Sequence, residues 1–148
     1  MAEYPETMPT QARGPLGLGE VPNKQFDTVL MGRRTYEPAL ALGVTSPYAH
    51  LRQYVFSRSL TSTDPDVEMV AGDPAGLVRD LKGQDGAGIW LCGGGQLASQ
   101  LLHEIDELVI KRNPIVLGSG VPLFDGPFEP VSSRRFDTGV VMATYRKP

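Results

Sequence analysis

Hydrophobic positions along the chain fall into short runs separated by glycine and proline, and the runs alternate between two periods. Phe26 to Met31 is rich in apolar and β-favouring residues and predicts a first strand. Gly32-Arg33-Arg34-Thr35-Tyr36-Glu37 follows and predicts a glycine junction into a helix over about Thr35 to Leu42, ending near Gly43, with Pro38 in its first turn. Gln53 to Ser57 predicts a second strand and Val67 to Ala71 a third. Asp73 before Pro74 has the form of a helix N-cap, and Leu77, Val78 and Leu81 give the helix Ala75–Lys82 an apolar face that Gly83 closes. Gly88 to Cys92 is a short apolar run that predicts a buried strand. Gly93, Gly94 and Gly95 follow, and then a helix over Gln96–His103. Asp106–Asn113 is the next strand, Pro114–Phe124 a loop with apolar pins, and Val131–Phe136 with Gly139–Arg146 a closing hairpin. The last strand has no charge on either alternating set through Tyr145, which predicts cover on both faces.

The first 25 residues differ. Pro5, Pro9, Pro15 and Pro22 break any period, so residues 1–25 are expected to form an irregular arm with at most a short helical turn, ahead of a domain over 26–148. Strand–helix alternation followed by strands alone favours an α/β fold, with a mostly parallel sheet, helices on both faces and an antiparallel C-terminal edge.

Composition narrows the function classes. A length of 148 residues fits one ordinary domain, and 41% hydrophobic residues with 21% charged fit a folded soluble protein. Net charge is −3 with no basic block, which argues against nucleic acid, and no apolar run has membrane-spanning length. The N-terminus is polar and carries no secretory pattern, so a cytoplasmic location is expected. Cys92 is the sole cysteine, which rules out an intrachain disulfide, and with His50 and His103 it cannot assemble the usual soft metal site. In its apolar strand Cys92 reads as a packed thiol, and His103 as a residue suited to a helix C-terminus.

Three strand ends carry groups that suit phosphate. Gly93-Gly94-Gly95 between strand and helix permits close approach to backbone N–H groups, although a tight packing turn explains it equally well. Arg33, Arg34 and the Thr35 hydroxyl stand at the Gly32 junction, where a solvated surface pair is the plainer alternative. Ser57-Arg58-Ser59 offers two hydroxyls and a guanidinium, or a simple turn. Ligands of open α/β sheets sit at the carboxyl ends of strands, and three anionic subsites there suit a pyrophosphate plus a third phosphate, as NADPH carries. The GxGxxG fingerprint is absent.

The segments FDTVLMGRRTYE, YVFSRSL, IWLCGGGQLASQLL and DELVIKRNPIVLGSGVPLF, in this order and spacing, resemble the dihydrofolate-reductase-like superfamily. The resemblance is closest to the reductase domain of bacterial riboflavin biosynthesis and runs from Phe26 to the C-terminus. It implies that Gly32, Arg33, Arg34 and Thr35 grip cofactor phosphates, that Ser57, Arg58 and Ser59 flank the adenosine side, and that Gly93, Gly94 and Gly95, with Gln96 and Leu97, take the pyrophosphate. It implies an NADPH-dependent reductase of a small pterin-like or aminopyrimidine-like substrate, with a non-catalytic nucleotide-binding or truncated relative as the alternative. The family's first apolar strand and its serine–leucine–aspartate–glycine-like loop have no match in residues 1–25. The sheet is therefore expected to re-pair, borrow a strand or rearrange, and the exposed sheet or the Leu117–Phe124 loop to build a homodimer. No catalytic base is inherited. Asp27 at a strand start and Glu37 in a helix's first turn read as structural acids.

Overall fold

The computed structural model describes residues 3–62 and 64–148; Met1 and Ala2 of the arm and Thr63 of the polar stretch lie outside the described residues. Strand β1 is Phe26–Gly32, β2 is Arg52–Phe56, β3 is Val67–Val70 and β4 is Gly88–Gly93. These four pair in parallel in the order β3-β2-β1-β4. Strands β5 (Glu107–Arg112), β6 (Glu129–Arg135) and β7 (Val141–Arg146) form an antiparallel sheet of order β5-β7-β6. The expected combination of parallel strands and an antiparallel end is present. It is built as two sheets, one of four strands and one of three.

Helices cover both faces of the parallel sheet because successive β1 residues point opposite ways. Val29 and Met31 pack with Tyr36 of α2 (Arg33–Ala41), together with Leu51, Val55 and Val67. Leu30 points the other way, against Val78 and Leu81 of α3 (Pro74–Lys82) and Leu97 and Leu101 in and after α4 (Gly95–Gln100). Asp73 caps α3 as expected, its carboxylate accepting the N–H groups of Ala75 and Gly76, each at 3.1 Å. Gly83 closes the same helix. Two helix bounds shift. α2 starts at Arg33 because extended Gly32 (φ −76°, ψ 165°) serves as the N-cap. Pro38 and Glu37 therefore lie past the first turn, and Pro38 cannot donate to the Arg34 carbonyl. α4 ends at Gln100, and His103 follows in a separate 3₁₀ turn, Leu102–Glu104. No helix among the described residues is long and apolar enough to cross a membrane.

Exposure departs from expectation in two strands. β4 was expected to be buried, yet Ile89, Trp90, Leu91 and Cys92 are only half-buried, and β7 is half-buried through Tyr145 rather than covered on both faces.

The arm is more ordered than its prolines suggest. It holds a 3₁₀ turn at Pro5–Thr7 and a one-turn helix, α1, at Thr10–Arg13. The buried Arg13 guanidinium donates to the carbonyls of Pro5 (2.7 Å), Leu18 (2.9 Å) and Val21 (3.3 Å). The buried Glu6 carboxylate accepts the N–H groups of Lys24 and Gln25, each at 2.8 Å. His50 Nε2 donates to the Glu6 carbonyl at 2.7 Å, while Nδ1 is buried without a partner among the described residues.

This cluster predicts acid sensitivity. Burial lowers the His50 pKa and the Arg13 charge adds to it, against opposing contributions from the Glu6 carbonyl and carboxylate. Burial alone would raise the Glu6 pKa, but the backbone N–H donors around it outweigh burial and leave it below the ordinary carboxylate range. Below about pH 6.5 the unfolded chain takes a proton on His50 that the folded chain refuses, so stability falls with pH from there. Glu6 adds a second loss in the same direction once pH drops below about 4.3 and on through its folded value. The melting temperature is expected to be level from pH 8 to 7 and to decline toward pH 5, with His50 contributing at most about 1.4 kcal/mol per pH unit. Calorimetry on His50→Gln checks this: the slope between pH 6.5 and 5 should flatten, and an unchanged slope would remove His50 from the account.

Candidate functional site

The parallel register brings three of the expected segments to one edge. Gly32 at the end of β1 lies opposite Phe56, the last residue of β2, and Met31 lies opposite Gly93, the last residue of β4. Because β2, β1 and β4 are neighbours, Ser57-Arg58-Ser59, Gly32-Arg33-Arg34-Thr35 and Gly93-Gly94-Gly95 emerge side by side at the carboxyl ends of the strands. That is where an open parallel sheet presents a ligand to helix N-termini.

The helices starting there differ from α3. Neither α2 nor α4 has a side-chain cap, whereas Asp73 occupies the first-turn donors of α3. The first-turn N–H groups of α2 and α4 are thus left to other acceptors. The junctions also touch. A Cβ at Gly32 would lie 3.5 Å from Gly94 N and 3.7 Å from the Gly93 carbonyl oxygen, and one at Gly93 (φ +151°) would lie 3.3 Å from Thr35 Oγ1. The Thr35 hydroxyl therefore sits over the glycine turn. At Gly94 the nearest atom to a Cβ would be that same hydroxyl, at 3.7 Å, so the middle glycine is open from the outside.

Two of the three segments are also linked by a side chain. Arg33 Nη1 donates to Ser59 Oγ at 3.3 Å, and its Nε pairs with Glu37 at 3.4 Å, one helical turn on. Arg34, Arg58 and Ser59 are exposed, and Ser57 is half-buried with its Oγ accepting the N–H of Leu60 at 3.0 Å. Gln96 is exposed in the first turn of α4. Leu97 differs from the others: its side chain is buried under β1 with Leu30 and Tyr54, so only its main chain belongs to the edge.

The loop after β5 also reaches this edge, which the sequence pattern did not reveal. A Cβ at Gly95 would strike the Leu123 carbonyl oxygen and lie 3.1 Å from that of Pro122. The only trace in the sequence is the Gly118-Ser119-Gly120-Val121-Pro122 string, which marks a turning loop but not where it lands. Gly95 is thus needed for the approach of the chain's own loop and Gly93 is covered by Thr35, which leaves Gly94 as the open position of the triplet.

The remaining chemical candidates take structural roles. Cys92 is the penultimate residue of β4, with Sγ 3.8 Å from the Tyr48 hydroxyl, and burial pushes its thiol up, as suits a packed side chain. Asp27 Oδ2 accepts the Ala87 N–H at 2.8 Å and ties β1 to the turn before β4. His103 is exposed, and its carbonyl accepts from Lys147. No cluster of metal-ligating side chains occurs among the described residues.

Comparison with known proteins agrees with this architecture. The chain is 40% identical over 101 residues to the uncharacterized protein YwjB of Bacillus subtilis, a match covering 66% of this chain and 58% of YwjB. It is 29% identical over 139 residues to the uncharacterized protein YyaP of the same organism, covering 82% of this chain and 74% of YyaP. Its structure is similar to that of a Shewanella sp. PV-4 protein assigned to riboflavin biosynthesis, with TM-score 0.69, 29% identity, and coverage of 83% of this chain and 75% of that one. It shares its fold with a Thermotoga maritima diaminohydroxyphosphoribosylaminopyrimidine deaminase/5-amino-6-(5-phosphoribosylamino)uracil reductase, at TM-score 0.61 and 16% identity, covering 83% of this chain and 46% of that protein. The RibD C-terminal domain family model matches residues 22–142, and the chain belongs to that family.

Proposed function

We propose that the chain is an NADPH-binding reductase that acts on a small pterin-like or aminopyrimidine-like substrate. The observation that carries this reading is the convergence of Gly32–Thr35, Ser57–Ser59 and Gly93–Gly95 on one sheet edge, with two uncapped helix N-termini among them. The fit to a dinucleotide follows from donor chemistry. The open backbone at Gly94, beside the Thr35 hydroxyl, suits a pyrophosphate. Arg33, held toward Ser59, and Arg34 suit a phosphate monoester on the adenosine side. NADPH would supply the hydride, and the protein would orient it. The cleft beside β4 takes in Gly93 to Gly95 at one end, which puts room for a substrate next to the glycine turn. A cytoplasmic location belongs to the same reading, as does a homodimer whose second copy covers the exposed apolar positions Ile115, Val116, Leu117 and Val121.

Binding without turnover is a second reading, and one observation favours it. Among the described residues, the edge of β4 away from β1 opens into that cleft without a strand beside it, so the pocket wall next to the glycine turn is open there. Fluorescence titration of the purified chain with NADPH and with NADH tests the shared claim. Micromolar binding with NADPH preferred is expected, and no binding by a folded chain would contradict both readings. Absorbance of bound NADPH during incubation with candidate pterins then separates turnover from binding.

A further inference from the structure

Glu37 pairs with a residue of the candidate site, and helix stability accounts poorly for the pair. It is the fifth residue of α2, past the turn where the helix dipole favours an acid. Its carboxylate stands 3.4 Å from Arg33 Nε, and both side chains are nearly half exposed. Arginine four residues ahead of glutamate is the weaker order for stabilising a helix, and it sets a cation at the positive end of the dipole. The other contact of Arg33 fixes where the pair lies. Arg33 Nη1 donates to Ser59 Oγ at 3.3 Å. Ser59 belongs to a turn in which Ser57 Oγ accepts the N–H groups of Ser59 at 3.2 Å and Leu60 at 3.0 Å. Arg33 is thus held between its own helix and the end of β2, on the side where the phosphate monoester of the proposed cofactor would lie.

This arrangement bears on one chemical choice. A guanidinium offers an anion two forked edges, one through Nε and one through the paired Nη atoms. Glu37 stands at the first, and Ser59 takes a proton of the second. A 2′-phosphate that pairs with Arg33 must displace the carboxylate or bind beside its negative charge, and either costs affinity. A ribose 2′-hydroxyl is uncharged and can donate to a carboxylate, so it meets no such penalty. Arg33 and Arg34 therefore favour a dinucleotide with the third phosphate, and Glu37 opposes them through Arg33. Resting on the reading of this edge as an NADPH site, we propose that Glu37 is a specificity-determining residue: by holding Arg33 it keeps the preference for NADPH over NADH below what the two arginines alone would give.

The test is fluorescence titration with NADPH and with NADH of the parent chain, Glu37→Gln, Arg33→Ala and the variant carrying both changes. Glutamine keeps the shape of the side chain and removes its charge. Glu37→Gln is expected to tighten NADPH by about threefold to tenfold, the scale of one surface charge acting on a doubly charged phosphate, and to change NADH by less than about twofold. In the Arg33→Ala background the same substitution should change NADPH by less than about twofold, because Arg33 is the group through which Glu37 acts. Three results overturn the proposal. An unchanged ratio of NADPH to NADH affinity in Glu37→Gln removes Glu37 from the choice. Weaker NADPH binding in that variant makes Glu37 a residue that positions Arg33 for the phosphate. An equal gain in both backgrounds reduces its effect to general surface charge. Each of these, in a parent chain that binds NADPH, leaves the cofactor reading standing. A folded parent that binds neither dinucleotide overturns both.

Discussion

Replacing Tyr36 with Ala is expected to lower folding stability by about 3–5 kcal/mol. Tyr36 is 1% exposed and packs in α2 against Val29, Met31 and Val55 of the sheet. Its hydroxyl also donates to the Thr45 carbonyl at 2.5 Å. Truncation removes a large apolar surface, leaves a cavity on one face of β1 and strips a half-buried carbonyl of its donor. The effect should reach the site, because Tyr36 follows Thr35 directly and fixes the helix whose N-terminus carries Arg33 and Arg34. Tyr36→Phe keeps the packing and loses only the hydrogen bond, for about 0.5–1.5 kcal/mol. Urea unfolding of both variants checks this. A Tyr36→Ala change under about 1 kcal/mol would mean that α2 is held elsewhere.

Replacing Arg33 and Arg34 together with Ala is expected to leave stability within about 0.5 kcal/mol, because both side chains are exposed and their pairs are superficial. NADPH affinity should fall by about tenfold to a hundredfold. That corresponds to about 1.4–2.7 kcal/mol, the scale of one or two charge-assisted hydrogen bonds to phosphate in partly open surroundings. NADH affinity should change much less, since NADH lacks the third phosphate. Added salt should weaken NADPH binding in the parent chain and matter less in the variant. Unchanged NADPH affinity would return both arginines to the solvated surface pair that composition alone suggests.

The sequence made local order legible wherever one short-range rule dominated. Alternation in Phe26–Met31 sends Val29 and Leu30 to opposite helical layers, and the Asp73-Pro74 pair with Gly83 bounds α3, all as their chemistry requires. The convergence of three strand ends also followed, because parallel neighbours put their carboxyl ends on one edge. Long-range features were hidden. Ile89 to Cys92 has the hydrophobicity of a buried strand, but burial depends on what lies beyond β4, and there the sheet stops. Leu97 is the exception: its helical spacing with Ala98 and Leu101 already marked it as apolar face, and its side chain is in the core, although the resemblance put it beside the pyrophosphate. Glu6, Arg13 and His50 are far apart among prolines and loops, so nothing in their spacing reveals that they lock the arm together. The landing of Leu123 on Gly95 is likewise a tertiary contact with no local period behind it.

The central claim is that three strand ends act as one phosphate site. Hydrogen exchange with and without saturating NADPH tests it most directly. The claim predicts slowed exchange together at Gly32–Thr35, Arg58–Ser59 and Gly93–Gln96, with β6 unchanged. Binding that protects none of these amides, or only one of the three segments, would contradict it.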